Sequence, residues 1–276
     1  MGNIRVIGPR SSGKTTYLAA LAYQPEQTKR GGRAKNYTIQ ALNDETRELA
    51  AKAENIIVEG DSLEPTGLQY RTIDELPFYS FNIDVNFILG KREGINLAIR
   101  DYPGEIFDEL ELGLANSLYQ EFIDECLMKD VVGCLILLTE WKKGTDKSYS
   151  RVLERFTELM DSHDRANDLR LAVAMSKCER GELWPGRLDP EVDLFDVHLP
   201  KTKATLRAKI PAKNLRFYAI STFGVLRRND PRPNRVDEMG TDGRNSVLRE
   251  ARRWKPYGMI APLYWLSTGK RMKDDA

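Results

Sequence analysis

The sequence predicts an α/β fold, a mostly parallel sheet between two layers of helices, and three observations carry that prediction. The chain opens on a short apolar run, Ile4 to Ile7, which enters a glycine-bounded loop and then a helical stretch from Lys14 to Tyr23. From Phe78 to Phe87, Tyr79, Phe81, Ile83, Val85 and Phe87 alternate with Ser80, Asn82, Asp84 and Asn86, the period of a strand with one buried and one wet face. Beyond Asp101, continuous apolar runs of strand length alternate with stripes at helical spacing, as strands covered by helices on both faces require.

The remaining elements follow in order. Tyr37 to Leu42 is a weaker strand, and Asp44 caps a helix reaching about Val58, with Leu49, Ala53, Ile56 and Ile57 on one side. The turn Gly-Lys-Arg-Glu-Gly at 90–94 leads into Ile95 to Arg100, so the two alternating runs form an antiparallel hairpin. Leu118, Phe122, Ile123, Cys126 and Leu127 mark a helix, Val131 to Leu138 a buried strand, and Val152, Leu153, Phe156, Leu159 and Met160 a second helix. Leu169 to Met175 and Leu215 to Ile220 are further strands, and a last helix starts near Ala261. Residues 1–276 read as a single domain with insertions near 24–76 and 180–213 and a charged loop near 226–256.

Composition narrows the function classes. Apolar residues are 41% and charged residues 30%, an ordinary globular mix, and the net charge of +1 argues against a nucleic-acid or membrane partner. Residues 226–255 hold nine Arg or Lys against five acids, which reads as a solvated segment rather than a nucleic-acid patch. The three cysteines, Cys126, Cys134 and Cys178, are too scattered for a disulfide framework or a zinc site, and a cytoplasmic location is expected. The first residues run straight into a strand pattern without a signal peptide, and the longest apolar run, Val131 to Leu138, is too short to span a bilayer.

The chemistry starts at Gly8-Pro9-Arg10-Ser11-Ser12-Gly13-Lys14-Thr15, a phosphate-binding P-loop set between a strand and a helix. Gly8 and Gly13 let the backbone wrap a phosphate, and the helix beginning at Lys14 adds its positive end. Ser11, Ser12, Gly13, Lys14, Thr15 and Thr16 line that cradle. Lys14 reaches the β- and γ-phosphates, and the Thr15 hydroxyl ligates Mg²⁺. The second hairpin strand ends in Asp101-Tyr102-Pro103-Gly104-Glu105. An acid at the carboxyl end of a core strand beside a P-loop holds a Mg²⁺ water, and a glycine three residues on can turn its N–H toward a γ-phosphate. Such a loop loses its anchor when the phosphate leaves, which makes it a switch.

With these two motifs the chain resembles the small-GTPase-like P-loop proteins of the translation-factor-related (TRAFAC) class. Gly8 to Thr15 matches their phosphate loop, and Asp101 to Gly104 their switch II motif. The resemblance implies a P-loop three-layer α/β sandwich with one antiparallel hairpin strand, GTP or GDP with Mg²⁺ as ligand, slow hydrolysis and a protein partner. It also implies a guanine site. Ser176-Lys177-Cys178-Glu179 follows the strand ending at Met175, with Lys177 along the base and Glu179 in place of an aspartate, one methylene longer. Ser221-Thr222 matches the turn whose backbone meets the guanine O6. Spacings are long: Lys14 to Asp101 is 87 residues and Lys177 to Ser221 is 44. The family's switch I threonine, a Mg²⁺ ligand, falls on Thr66, with Thr72 second. Glu105 stands where a water-orienting glutamine is common, and Arg10 lies over the phosphates as a built-in arginine finger or points to solvent. Gly13 to Leu21 and Pro256 to Leu266 also resemble GTPase-like components of bacterial conflict systems. Two other readings stay open: an ATP-binding ATPase or kinase on the same loop, and a scaffold that binds nucleotide without hydrolysing it.

Overall fold

The computed structural model describes residues 3–23, 37–59, 72–86, 92–112, 117–139, 144–237 and 246–272. The strands that the sequence announces are β1 (Asn3–Ile7), β2 (Tyr37–Ala41), β3 (Phe78–Asn86), β4 (Arg92–Arg100), β5 (Val131–Leu138), β6 (Arg170–Met175) and β7 (Leu215–Ala219). The main helices are α1 (Lys14–Ala22), α2 (Asp44–Glu54), α3 (Gly104–Leu112), α4 (Ser117–Leu127), α5 (Thr145–Ser162), α6 (Pro200–Lys209) and α7 (Ala261–Thr268).

A four-stranded parallel sheet runs in the order β1-β5-β6-β7. Its register pairs Ile7 with Ile136, Leu138 with Met175, and Met175 with Ala219, so the four carboxyl ends share one edge. Loops leaving that edge of an α/β sheet are where ligands bind. The central strands β5 and β6 are buried on both faces, as their lack of alternation predicts, and the edge strand β7 alternates. Ile7, Ile136, Leu138, Val173 and Met175 pack with Phe107 of α3, Phe122 of α4 and Phe156 of α5. Val6, Leu135, Leu137, Ala172 and Ala174 pack on the opposite side with Leu18 of α1 and Leu263 and Trp265 of α7.

The hairpin has the expected antiparallel register, with Ile83 opposite Ile95 and Phe81 opposite Leu97, and β2 extends it to three strands. These strands form their own ladder. β4 lies alongside β1, and the buried Arg5 of β1 donates from Nη1 to the Ala98 carbonyl at 2.9 Å. The α2 helix starts as predicted, but its cap is Asn43, whose side chain accepts from Thr46 N–H at 3.2 Å, and Asp44 is the first helical residue. A caps residue must stand outside the helical dihedrals with a side-chain acceptor, and Asn43 meets both conditions.

The insertion at 180–213 and the charged loop at 226–256 carry structure that periodicity did not announce. The stretch after β6 folds into short turns pinned by the fully buried Leu183, Leu194, Phe195 and Leu199 before α6 begins. After β7 come four short strands, β8 (Val225–Arg227), β9 (Asp230–Pro233), β10 (Arg235–Asp237) and β11 (Ser246–Leu248), paired as β8–β9 and β10–β11. Tyr257 then pairs with Ser221, bringing the chain back to the end of β7 before α7. Among the described residues, no helix is long and apolar enough to cross a membrane.

Candidate nucleotide site

The P-loop is built on a close approach to β5. A side-chain carbon on Gly8 would lie 2.3 Å from the Leu137 carbonyl oxygen, so no larger residue fits there. Ser11 (φ 59°) and Gly13 (φ 88°) take left-handed conformations, and the loop closes with Ser12 N–H donating to the Pro9 carbonyl at 3.2 Å. Gly13 then leads into α1 without a side-chain cap and without an acid in the first turn, leaving the helix N-terminus electropositive.

Lys14 is only 8% exposed. Its ammonium donates to the carbonyls of Gly8 (2.8 Å) and Pro9 (3.1 Å), which holds the charge over the loop. The Thr15 hydroxyl donates to Asp101 Oδ2 at 2.7 Å, and Asp101 is 3% exposed. The two proposed Mg²⁺ ligands, 86 residues apart in sequence, therefore touch. Among the described residues no group of three or more His, Cys, Asp or Glu could hold a metal. The pair fits Mg²⁺ in particular, which takes one or two protein oxygens and completes its octahedron with phosphates and waters. A second fit comes from Ser12, 1% exposed, whose hydroxyl lies over Gly8 and has no protein hydrogen-bond partner. A buried hydroxyl inside a phosphate loop is a donor suited to an anion.

Gly104, the first residue of α3, backs directly onto the P-loop. A side-chain carbon there would lie 2.2 Å from Arg10 N, 2.3 Å from Arg10 Cα and 2.7 Å from Pro9 C. The adjacent residues form an ion pair, Arg10 Nη1 to Glu105 Oε1 at 3.3 Å, with both side chains partly exposed. Arg10 is exposed, in keeping with the expectation that it points to solvent, and it is paired with the very acid that was expected to orient water.

The residues expected to meet the base converge on the same edge. Ser176, just past β6, donates from its hydroxyl to the Ser12 carbonyl at 2.8 Å and the Leu138 carbonyl at 3.1 Å, tying the base loop to the P-loop. Lys177 has φ 55°, and its Cε lies 3.8 Å from where a side-chain carbon on Gly13 would be. Burial, then the nearby Arg235 and Arg180, lower the Lys177 ammonium from its ordinary 10.5 to about 8. Glu179 is fully buried. Its Oε2 accepts from the Ser221 hydroxyl at 2.7 Å, and its Oε1 pairs with Arg235 Nη1 at 3.4 Å. Ser221 also accepts from Gly224 N–H at 2.8 Å, and the Thr222 carbonyl accepts from Trp254 Nε1 at 2.9 Å.

The structure thus gathers Gly8, Arg10, Ser11, Ser12, Gly13, Lys14, Thr15, Asp101, Gly104, Glu105, Lys177, Glu179 and Ser221 along one sheet edge. Thr16 and Thr222 sit next to them in sequence, as the third residue of α1 and directly after Ser221. Thr66 lies outside the described residues. Thr72 is exposed at the start of the short 3₁₀ turn Ile73–Glu75. Two contributors escaped the sequence reading. Ser176 carries a signal in its place beside Lys177, but Arg235 carries none, because it sits in a three-residue strand within the charged loop.

No protein-family model matches the chain, and no curated protein matches it. Among solved structures it is similar to the GTPase-like domain of S. cerevisiae Ski7 bound to GTP, at 14% identity and a TM-score of 0.42, over 83% of this chain and 44% of that one. It is also similar to sup35 complexed with GDP, at 11% identity and a TM-score of 0.33, over 88% of this chain and 40% of that one. The chain spans less than half the length of either protein.

Proposed function

We propose that this chain binds GTP with Mg²⁺ at the carboxyl edge of the parallel sheet and acts as a nucleotide-dependent switch. The observation that carries the reading is the 2.7 Å contact between Thr15 and Asp101 beside a loop that buries Lys14. In this reading Ser12 to Thr16 hold the phosphates, Lys14 neutralises the β- and γ-phosphates, and Thr15 and Asp101 hold Mg²⁺, directly or through water. Thr66, outside the described residues, is the candidate for a further Mg²⁺ ligand from switch I. Mg²⁺ supplies charge neutralisation and fixes the phosphate geometry. Lys177 lies along the base, Glu179 reads its donor edge, and the turn at Ser221 and Thr222 meets its O6.

Hydrolysis by the chain alone is slow. Glu105 is the one side chain proposed to orient water, and it is tied to Arg10. A protein partner that separates this pair would free Arg10 to face the phosphates and Glu105 to hold water. The reading places the protein in the cytoplasm, in keeping with its buried free cysteines. A second reading, an ATP-binding protein on the same loop, is favoured by one observation: Glu179 is already engaged by Arg235.

Asp101→Asn and Thr15→Ala test the proposal at its carrying contact. Each should weaken GTP binding in Mg²⁺ by about ten-fold or more while leaving the affinity in EDTA nearly unchanged. Titration of a fluorescent GTP analogue with and without Mg²⁺ reads both. An undiminished Mg²⁺ enhancement in both variants would remove the metal from this pair of residues.

A further inference from the structure

We infer that Arg235 sets the base selectivity of this site by acting as an internal competitor for Glu179, an inference that rests on the guanine reading above. A guanine presents N1–H and N2–H donors on one edge, and that edge is itself a guanidine fragment. A carboxylate reads it with both oxygens. Arg235 offers the same fragment, a planar set of N–H donors, from inside the protein. One Glu179 oxygen accepts from Ser221, the other faces the Arg235 guanidinium at 3.4 Å, and Glu179 has no exposed surface. A base edge reaches this acid only where Arg235 gives way.

The placement of Arg235 is heavily determined. Its Nε donates to the Asp237 carboxylate, which also pairs with Arg180 at 3.3 Å and accepts from the Ser246 hydroxyl at 2.8 Å. The Arg235 guanidinium lies 5.5 Å from the centre of the Phe223 ring. The residue before it, Asn234, is fully buried and knotted into the insertion. Asn234 N–H donates to the Gly224 carbonyl at 2.9 Å, its Nδ2 to the Glu250 carbonyl at 3.1 Å, and its Oδ1 accepts from Glu250 N–H at 2.8 Å. β10 pairs Arg235 with Leu248 of β11. β10 therefore delivers the Arg235 guanidinium to the Glu179 carboxylate, with Asp237 holding its other side. Crowding by Arg235 and Arg180 also contributes to the lowered proton affinity of Lys177, so three cations gather where the base would lie.

The consequence is specific to the 2-amino group. The wild type should distinguish GTP from ITP, which lacks that group, by less than about three-fold. Arg235→Ala frees the Glu179 oxygen and should raise GTP affinity by about ten-fold while moving ITP by less than about two-fold. Adding Glu179→Ala to Arg235→Ala should cancel the gain. Asp237→Ala, which loosens Arg235 without touching Glu179, should move the GTP-to-ITP ratio in the same direction and decides the matter if Arg235→Ala does not fold.

The experiment is competition of GTP and ITP against a fluorescent GTP analogue in Mg²⁺, on the full chain and these variants, with Lys14→Ala as the control for specific binding. A raised GTP-to-ITP ratio that depends on Glu179 supports the inference. Lys14-dependent binding with an unchanged ratio, or weaker GTP binding by Arg235→Ala, overturns it and leaves the GTP reading standing. If no variant binds GTP in a Lys14-dependent way, the GTP reading falls and the role of Arg235 falls with it.

Discussion

Gly104→Ala is expected to lower the melting temperature by about 4–12 °C and to weaken nucleotide binding, although alanine is the better helix former. Position 104 opens α3, where the change would by propensity alone stabilise the helix by up to about 1 kcal/mol. Packing decides the sign. The new methyl would lie 2.2 Å from Arg10 N and 2.3 Å from Arg10 Cα, both backbone atoms that cannot rotate away. Either α3 or the P-loop must shift by about an ångström, an overpacking cost of about 2–3 kcal/mol. At about 2–4 °C per kcal/mol for a chain of this class, that gives the stated fall. The loop that moves is the one whose Gly8 and Pro9 carbonyls hold the Lys14 ammonium, so the ligand site is disturbed with it. Glu105→Ala is the comparison: its partly exposed pair with Arg10 should contribute less than about 1 kcal/mol. Thermal unfolding of both variants reads the contrast. A stabilised Gly104→Ala would show that α3 does not rest on the P-loop.

Lys14→Ala should reduce GTP affinity by about a hundred-fold or more, the largest binding effect expected of any single change here. A hydrogen bond to a charged group contributes about 1.5–3 kcal/mol, and the ammonium can serve two phosphates at once. Arginine should not restore binding, because its planar fork is larger than the compact ammonium now seated on the Gly8 and Pro9 carbonyls. The same seating predicts a stability effect. Removing the ammonium leaves those carbonyls short of a donor, at about 1–3 kcal/mol. Binding and unfolding measured on one preparation separate the two losses. Near-normal affinity in a folded Lys14→Ala protein would mean that the loop does not bind phosphate.

Much of this site was legible because its signals are local. A strand, two glycines, a lysine and a threonine within a dozen residues specify a phosphate loop, and the structure folds them as β1, loop and α1. Period-two alternation predicted the hairpin, and the unbroken apolar run Val131 to Leu138 predicted the central parallel strand β5, because side-chain pattern reports burial directly. Two tryptophans in the charged and irregular stretches pack within the fold: Trp184 lies edge-on against Tyr257, and the Trp254 ring centre lies 4.9 Å from that of Tyr23.

What was not legible depends on contacts between distant residues. Arg10 and Glu105 are paired across two elements, and no motif announces that an arginine in a P-loop has a partner at the start of α3. Glu179 looked like a slightly long guanine acid, and its engagement by Arg235, 56 residues later, is invisible to periodicity. The strands that deliver Arg235 are three residues long, too short for alternation to emerge from a charged segment. Helix α6 was hidden for a different reason: its buried positions, Thr202 and Leu206, are too few to make an apolar stripe. Gly104 was expected to offer its N–H to a γ-phosphate, and the structure adds a packing reason for glycine at the same place.

The central claim, GTP with Mg²⁺ at this edge of the sheet, is tested most directly by displacing a fluorescent GTP analogue from the wild-type chain with unlabelled GTP and ATP in Mg²⁺. GTP should displace the analogue at a concentration about ten-fold or more below that of ATP, since the turn at Ser221 and Thr222 would meet the guanine O6, which adenine lacks. Displacement by ATP at equal or lower concentration would contradict it.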